Sequence, residues 1–94
     1  MDSSWELDIA VWMDAHNIEW IRSRKIMFWW TDVNGKKRRY YPDFYLPFYD
    51  LYLDPKNKYL LMKDDFKLKQ VIADNHIKLI YGHKTEILDK LMGL

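Results

Sequence analysis

The sequence has no cysteine, which excludes a disulfide framework, a thiolate zinc site and a cysteine nucleophile. It also has no apolar run near the ~20 residues that a transmembrane helix requires. The N-terminal stretch Met-Asp-Ser-Ser-Trp-Glu lacks the basic start and the apolar segment of a secretory signal. No internal repeat, low-complexity tract or linker divides the chain. We therefore expect residues 1–94 to form one soluble, intracellular domain that does not contact a membrane.

Aromatic residues and unevenly placed charge are what the sequence has in excess. Aromatic residues make up 17% of the chain. The net charge is only +1, yet residues 1–16 contain four acidic residues and no Lys or Arg, whereas residues 17–41 contain seven basic residues and two acidic ones. A basic middle segment is compatible with a face that binds a polyanion, and equally with an ordinary solvated surface.

The order of helix and strand signals predicts a mixed α/β domain of the α+β kind, with a four-stranded mixed sheet flanked by helices. Ser3-x-x-Glu6 is the pattern of a capping box and opens a first helix, which Asn17 ends. Asn34-Gly35 predicts a two-residue hairpin turn with both residues at positive φ. The remaining elements, in the order α-β-β-β-α-β-α, are strands near residues 25–31, 37–46, 51–56 and 77–81 and helices over 64–73 and 85–92.

Two aspartates and a lysine on the second and third strands carry the candidate chemistry. If the loop at 47–50 closes a symmetric hairpin, residues whose numbers sum to 97 lie opposite each other, so Asp43 faces Asp54. Lys56 shares a strand face with Asp54 because side chains alternate along a strand. Two adjacent carboxylates repel unless something compensates, and hard oxygen ligands suit Mg²⁺ or Mn²⁺. The alternative interpretation is that Asp43 is a turn residue and that Asp54 and Lys56 form a surface ion pair.

Other candidate residues lie outside this pair of strands. The capping box accounts for Glu6 without chemistry, but Glu6 lies at the edge of the apolar helix stripe and could reach the sheet. Basic residues on and before the predicted hairpin could neutralise phosphates without reading bases, although a solvated hairpin tip explains them equally well. These candidate DNA-binding residues are Arg22, Arg24, Lys25, Lys36, Lys37, Arg38 and Arg39.

Pro42-Asp43 followed by Asp54-Pro55-Lys56, in this order of elements, resembles the PD-(D/E)xK nuclease superfamily and its restriction-endonuclease-like core. The string from Tyr41 to Pro47, Tyr-Pro-Asp-Phe-Tyr-Leu-Pro, more narrowly resembles phage-encoded homing endonucleases related to the very-short-patch-repair type. The opening helix with Glu6 and the segment from Ile80 to Leu88 are also similar, so the resemblance covers nearly the whole chain. The chain departs from the usual pattern in having Asp54 rather than Glu, and in having Pro55, at which the strand is expected to bend or end.

The resemblance implies a Mg²⁺-dependent endonuclease that hydrolyses phosphodiester bonds in double-stranded DNA, with Mn²⁺ able to replace Mg²⁺. It implies that Asp43, Asp54 and Glu6 bind the metal, and that Lys56 orients the attacking water and stabilises charge on the phosphate. A phage protein of this kind would act in the cytoplasm of its host cell. Because sequence-specific binding needs a large interface, we expect a homodimer or the catalytic part of a larger or split polypeptide. The alternatives are a structure-specific nuclease resembling junction resolvases and a non-catalytic nucleic-acid-binding module on the same fold.

Overall fold

The computed structural model describes the backbone of residues 3–94 and the side chains of residues 4–94. This part of the chain is a small mixed α+β fold, which confirms the predicted class at that level. No helix in the described range is long and apolar enough to cross a membrane. The helices are α1 (Ser3–Ala15), α2 (Lys58–Asn75) and α3 (Lys84–Met92), and the strands are β1 (Phe28–Thr31), β2 (Lys37–Tyr40), β3 (Phe44–Leu46), β4 (Leu51–Pro55) and β5 (Leu79–Gly82).

The strands in the described range form two sheets, so the expected four-stranded mixed sheet is wrong. One sheet is the antiparallel hairpin β1-β2. The other is three-stranded in the order β3-β4-β5, with β3 antiparallel and β5 parallel to β4. The predicted strand over 37–46 divides at residues 41–43, because Pro42 has no N–H to donate and the chain leaves the hairpin there to enter the second sheet.

The register of β3 against β4 is the one that the sequence predicts. Phe44 pairs with Leu53, Tyr45 with Tyr52 and Leu46 with Leu51, so each pair of numbers sums to 97. Asp50, in the connection, has a positive φ of 49°. This symmetric register matters for function because the next pair in the series is Asp43 and Asp54.

The turn between β1 and β2 is wider than predicted. Gly35 has φ of 77°, but Asn34 is not at positive φ. Gly35 N–H donates to the carbonyl of Asp32, and the N–H of Asp32 donates to the carbonyl of Lys36. The Asp32 carboxylate also accepts from the N–H groups of Asn34 and Lys36. The side chain of Asp32 therefore stabilises a β-turn over residues 32–35, in which Gly35 is the last residue and has the positive φ, in place of the expected two-residue turn.

Helix α2 begins at Lys58, about two turns before the predicted start at Asp64 or Asp65. Asn57 caps it, since its side chain accepts a hydrogen bond from Leu60 N–H at 2.8 Å. The other end of α2 lies at Asn75, with His76 in the left-handed conformation. At the end of α1, Asn17 has φ of 57°, as the sequence predicts. The Ser3 side chain of the predicted capping box lies outside the described side chains.

Two apolar clusters cover the two faces of the three-stranded sheet. In the first cluster, the side chains of β3 and β4 that alternate with Asp43 and Asp54 pack against α1 and α3. Its members from the strands are Phe44, Leu46, Leu51 and Leu53, and those from the helices include Ile9, Met13, Ile87 and Leu91. The second cluster joins the hairpin to α2 through Trp30, Tyr40, Leu68 and Val71, with Leu79 and Tyr81 of β5 packed against it. The face of the sheet that carries the two aspartates therefore looks toward the hairpin and α2.

The cap of α2 can be tested directly. We expect Asn57→Ala to lower the free energy of unfolding by ~0.5–2 kcal/mol, because the N–H of Leu60 loses its acceptor. In a domain of this size each ~1 kcal/mol shifts the melting temperature by ~4–8 °C. Asn57→Ser, which keeps a capping oxygen, is the matched control for a thermal melt followed by circular dichroism. Equal melting temperatures for the Ala variant and the parent would show that the cap contributes nothing.

Candidate active site

Asp43 and Asp54 lie opposite each other where β3 and β4 meet the hairpin. The N–H of Asp43 donates to the carbonyl of Leu53 at 3.1 Å, so the antiparallel pairing continues past the end of β3. Asp54 is only 2% exposed, and Asp43 is partly buried. The register thus brings two carboxyl groups together in a poorly solvated place, on the sheet face that looks toward α2.

The environment of Asp43 disfavours its negative charge. The pKa of Asp43 is raised to about 8, and burial is the largest cause. The charge of Asp54, a hydrogen bond shared with Asp54 and the charge of Glu6 also contribute to the raised pKa, while Lys56 lowers it. The Oδ2 atom of Asp43 is buried and has no hydrogen-bond partner. This environment therefore favours the protonated form of Asp43 near neutral pH.

Tyr40 fixes the orientation of Asp54. Its hydroxyl donates to Oδ2 of Asp54 at 2.5 Å, and both side chains are buried. Burial and the neighbouring Asp54 charge raise the pKa of Tyr40 far above its usual range, so the hydroxyl stays a neutral donor. The sequence does not predict this role for Tyr40. The one indication available from the sequence is general: a tyrosine that is buried normally needs a hydrogen-bond partner for its hydroxyl.

Lys56 lies beside the pair and is held by two carboxylates. Its Nζ is 3.5 Å from Oδ1 of Asp54 and 3.3 Å from Oδ2 of Asp64, and its side chain is 12% exposed. Strand β4 ends at Pro55, as expected, but the N–H of Lys56 still donates to the carbonyl of Gly82 in β5. Gly82 has φ of 136°, a conformation that favours glycine. The backbone around Lys56 is therefore tied to the sheet despite the proline.

Asp64 is a contact to Lys56 that the sequence does not predict. It belongs to the second turn of α2, and its carboxylate shares the lysine with Asp54. The sequence predicts that the helix begins at this residue, so it gives Asp64 no role beyond the start of the helix. In the structure Asp64 lies inside α2, and the packing of this helix places its carboxylate next to Lys56.

Glu6 is close to the pair but is engaged by an arginine. It is 5% exposed, and its Oε2 accepts from Nη1 of Arg22 at 2.5 Å. Its Oε1 is buried and has no hydrogen-bond partner. Because the charge of Glu6 raises the pKa of Asp43, the two carboxylates lie within electrostatic reach. Helix α1 therefore does bring Glu6 to the sheet. The sequence alone could not distinguish this position from a capping role.

Two open grooves flank the carboxylate pair. The first, of about 500 Å³, is lined by Arg22, Ser23, Arg24, Tyr41, Pro42 and Asp43. The second, of about 810 Å³, is here called the hairpin groove; it is lined by Trp29, Trp30, Lys36, Lys37, Arg38, Arg39, Lys63, Asp64, Phe66 and Lys67. Six of the seven predicted basic residues thus line a groove beside the site, whereas Lys25 lines neither.

The donor set fits a hard divalent cation held by two carboxylates. Across the described residues, no three carboxylate or histidine side chains come together as a group that could share a metal ion. Mg²⁺ in enzymes commonly uses only one or two carboxylates and completes its shell with water and substrate phosphate. The unpartnered Oδ2 of Asp43 beside Asp54 offers such a set, and the unpartnered Oε1 of Glu6 lies nearby.

Comparison with known proteins gives no relative of this chain. No protein-family model matches it, and neither does any curated protein or solved structure. Function is therefore inferred from the side chains that the fold assembles: a carboxylate pair, a lysine shared with a third carboxylate, and basic grooves on either side.

The raised pKa of Asp43 predicts a pH dependence of stability in EDTA. Between the ordinary aspartate pKa of 3.8 and about 8, we expect Asp43 to be protonated in the folded protein but ionised in the unfolded chain. The folded state binds more protons in this window, so the free energy of unfolding should fall as pH rises through it. Asp43→Asn should reduce this slope, which is measured by urea unfolding at several pH values.

The matched control for that experiment is Asp89→Asn, which removes the same charge from an exposed position on α3. It should keep the slope of the parent. If Asp43→Asn and the parent lose stability equally between pH ~4 and ~8, Asp43 does not carry the proton.

Proposed function

We propose that the protein is a metal-dependent DNA endonuclease that hydrolyses phosphodiester bonds, with Mg²⁺ as the metal and Mn²⁺ as an effective substitute. The observation that carries the proposal is the buried pair Asp43 and Asp54 with the Lys56 ammonium beside it. A buried carboxylate pair is destabilising unless a cation neutralises it, and the ammonium beside this pair can face a phosphate. This arrangement is better suited to phosphodiester hydrolysis than to the role of a structural ion pair.

Asp43 and Asp54 would hold the metal ion, with Glu6 as a further carboxylate nearby. When bound, the divalent cation would polarise the scissile phosphate and activate a water molecule. Tyr40 keeps Asp54 in one orientation through its 2.5 Å hydrogen bond. Asp64 holds Lys56 from the other side, so that its ammonium stays at the site to orient water and to stabilise charge on the phosphate.

The DNA partner is supported by the distribution of basic residues. The hairpin groove is lined by six cationic side chains and one carboxylate, and that carboxylate, Asp64, is already paired with Lys56. Arg22 and Arg24 line the other groove together with Asp43. A DNA backbone crossing the site would therefore meet positive charge on both sides, which favours polyanion binding over a neutral or cationic substrate.

The narrower proposal, a phage homing-type endonuclease or its catalytic domain, depends on the resemblance of the segment from Tyr41 to Pro47. That segment contains Pro42 and Asp43 and then forms β3, so it supplies one of the two aspartates. Such an enzyme would work inside the host cell, and we propose that it acts as a homodimer or with further polypeptide to reach a sequence-specific interface.

Cleavage of DNA should require both strand aspartates. We expect the parent to cut plasmid DNA in Mg²⁺ but not in EDTA, and Asp43→Asn and Asp54→Asn each to reduce the rate by ~100-fold or more, because each removes a negative metal ligand without changing side-chain shape. Gel analysis of supercoiled, nicked and linear plasmid measures this.

Binding of the metal can be measured separately from cutting. Mg²⁺ should raise the melting temperature of the parent at neutral pH, and should do so much less for Asp43→Asn. Asp89→Asn is again the control and should behave like the parent in both assays. A folded Asp54→Asn variant that cuts plasmid at the parent rate would show that the site is elsewhere, and a parent that binds DNA without cutting it would indicate the non-catalytic module.

A substitution at Glu6 tests whether its carboxylate acts with the metal or serves only as the partner of Arg22. Glu6→Gln keeps an oxygen that can accept from Arg22 but removes the charge, so we expect a folded protein whose Mg²⁺-dependent cleavage falls at least ~10-fold. Arg22→Gln is the matched variant, because it breaks the same ion pair and leaves the Glu6 charge in place. If Glu6→Gln cuts normally, the functional carboxylates are confined to Asp43 and Asp54.

A further inference from the structure

The hairpin groove combines cations with exposed aromatic rings, and this combination goes beyond what a duplex backbone needs. Trp29 is 46% exposed and Phe66 is 54% exposed, and both line the groove. Phe66 lies on α2 between two further lining residues, Lys63 and Lys67, and Trp29 lies on β1 opposite Arg39 of β2. An exposed apolar surface rimmed by charged residues is the kind of patch that marks a ligand-binding site.

The rings and the charges are part of one surface. The Arg39 guanidinium lies 5.4 Å from the centroid of the Trp29 ring, so a cation and a ring face are held together. The other basic residues that line the groove are Lys36, Lys37, Arg38, Lys63 and Lys67. Phosphates alone would be satisfied by the cations, whereas flat aromatic faces favour a ligand with exposed flat bases.

This surface is connected to the carboxylate pair. Nζ of Lys67 lies 5.5 Å from the ring centroid of Tyr40, whose hydroxyl donates to Asp54. Asp64, at the edge of the groove, holds Lys56. A strand lying in the groove would therefore pass next to the residues proposed to cut it.

We propose that the hairpin groove binds a single-stranded segment of DNA, with unpaired bases stacked on Phe66 and Trp29 and the backbone held by the surrounding lysines and arginines. A basic groove lined by aromatic residues is the arrangement by which proteins hold single strands, because stacking is available only to bases that are not already stacked in a duplex. The inference rests on the proposed function and names its substrate class: DNA that offers an unpaired strand beside the cleavage site, as at a flap, gap or junction.

Binding in EDTA tests this without any need for cleavage. Fluorescence anisotropy of the parent should show tighter binding to a short oligothymidylate than to a blunt duplex of the same length at the same salt. An abasic oligonucleotide of equal length, which has the charge but not the bases, should bind about tenfold more weakly than the oligothymidylate. Oligouridylate binding as tightly as oligothymidylate would overturn the assignment to DNA.

Substitutions at Phe66 identify the groove. Phe66→Ala should weaken oligothymidylate binding about tenfold while changing duplex binding less than twofold, and Phe66→Tyr should restore the parent value because its ring still stacks. Phe48→Ala is the matched control, since Phe48 is 84% exposed but borders a different cavity with His16 and Asn17. Circular dichroism melts check that each variant is folded.

Several outcomes would overturn the inference. These are equal affinity for the abasic and base-containing strands, an unchanged affinity in Phe66→Ala, or an equal loss in Phe48→Ala. They are distinguishable from failure of the proposed function, because a protein that cuts duplex plasmid in Mg²⁺ but shows no preference for single strands is a nuclease without this groove function. A protein that prefers single strands through Phe66 but never cuts retains the groove function without the nuclease activity.

Discussion

The close approach of Asp43 and Asp54 is the constraint on which the rest of this structure depends. Two carboxylates in a poorly solvated place cannot both be ionised without compensation, and the effective penalty for one uncompensated buried charge is several kcal/mol. Three features of the fold reduce this penalty. The protonated form of Asp43 is favoured, the Tyr40 hydroxyl donates to Asp54, and the Lys56 ammonium lies 3.5 Å from Asp54. Tyr40 belongs to β2, Asp43 immediately precedes β3 and Lys56 immediately follows β4, so these contacts tie the hairpin to the three-stranded sheet.

Compensation is nevertheless incomplete, and this separates the site from an ordinary structural ion pair. In a structural pair we expect every buried carboxylate oxygen to have a donor, because an unpaired one costs free energy. Here Oδ2 of Asp43 and Oε1 of Glu6 are buried without donors, and Lys56 is shared between Asp54 and Asp64. The arrangement therefore stabilises the protein less than the same atoms could with every oxygen paired, and the proposed function accounts for this cost.

The sequence predicts what depends on local geometry. The register of β3 against β4 follows from a short symmetric connection, and the end of α1 at Asn17 follows from the tolerance of asparagine for positive φ. It does not predict the division of the strand at Pro42, because the chain changes sheets there for reasons of packing. It also misses Asp64, since the contact of this carboxylate with Lys56 depends on how α2 packs against the rest of the domain.

The site is compact along the chain, and this explains how a small domain can hold it. Tyr40, Asp43, Asp54, Lys56 and Asp64 follow one another through β2, β3, β4 and the start of α2, so the loops that bring them together are short and cost little entropy to close. The distant elements α1, α3 and β5 contribute mainly burial, Glu6 and the carbonyl of Gly82. Burial raises the pKa of Asp43 and requires the packed domain, whereas the local segment sets the distances, so the electrostatics of the site depend on complete folding although its geometry is largely local.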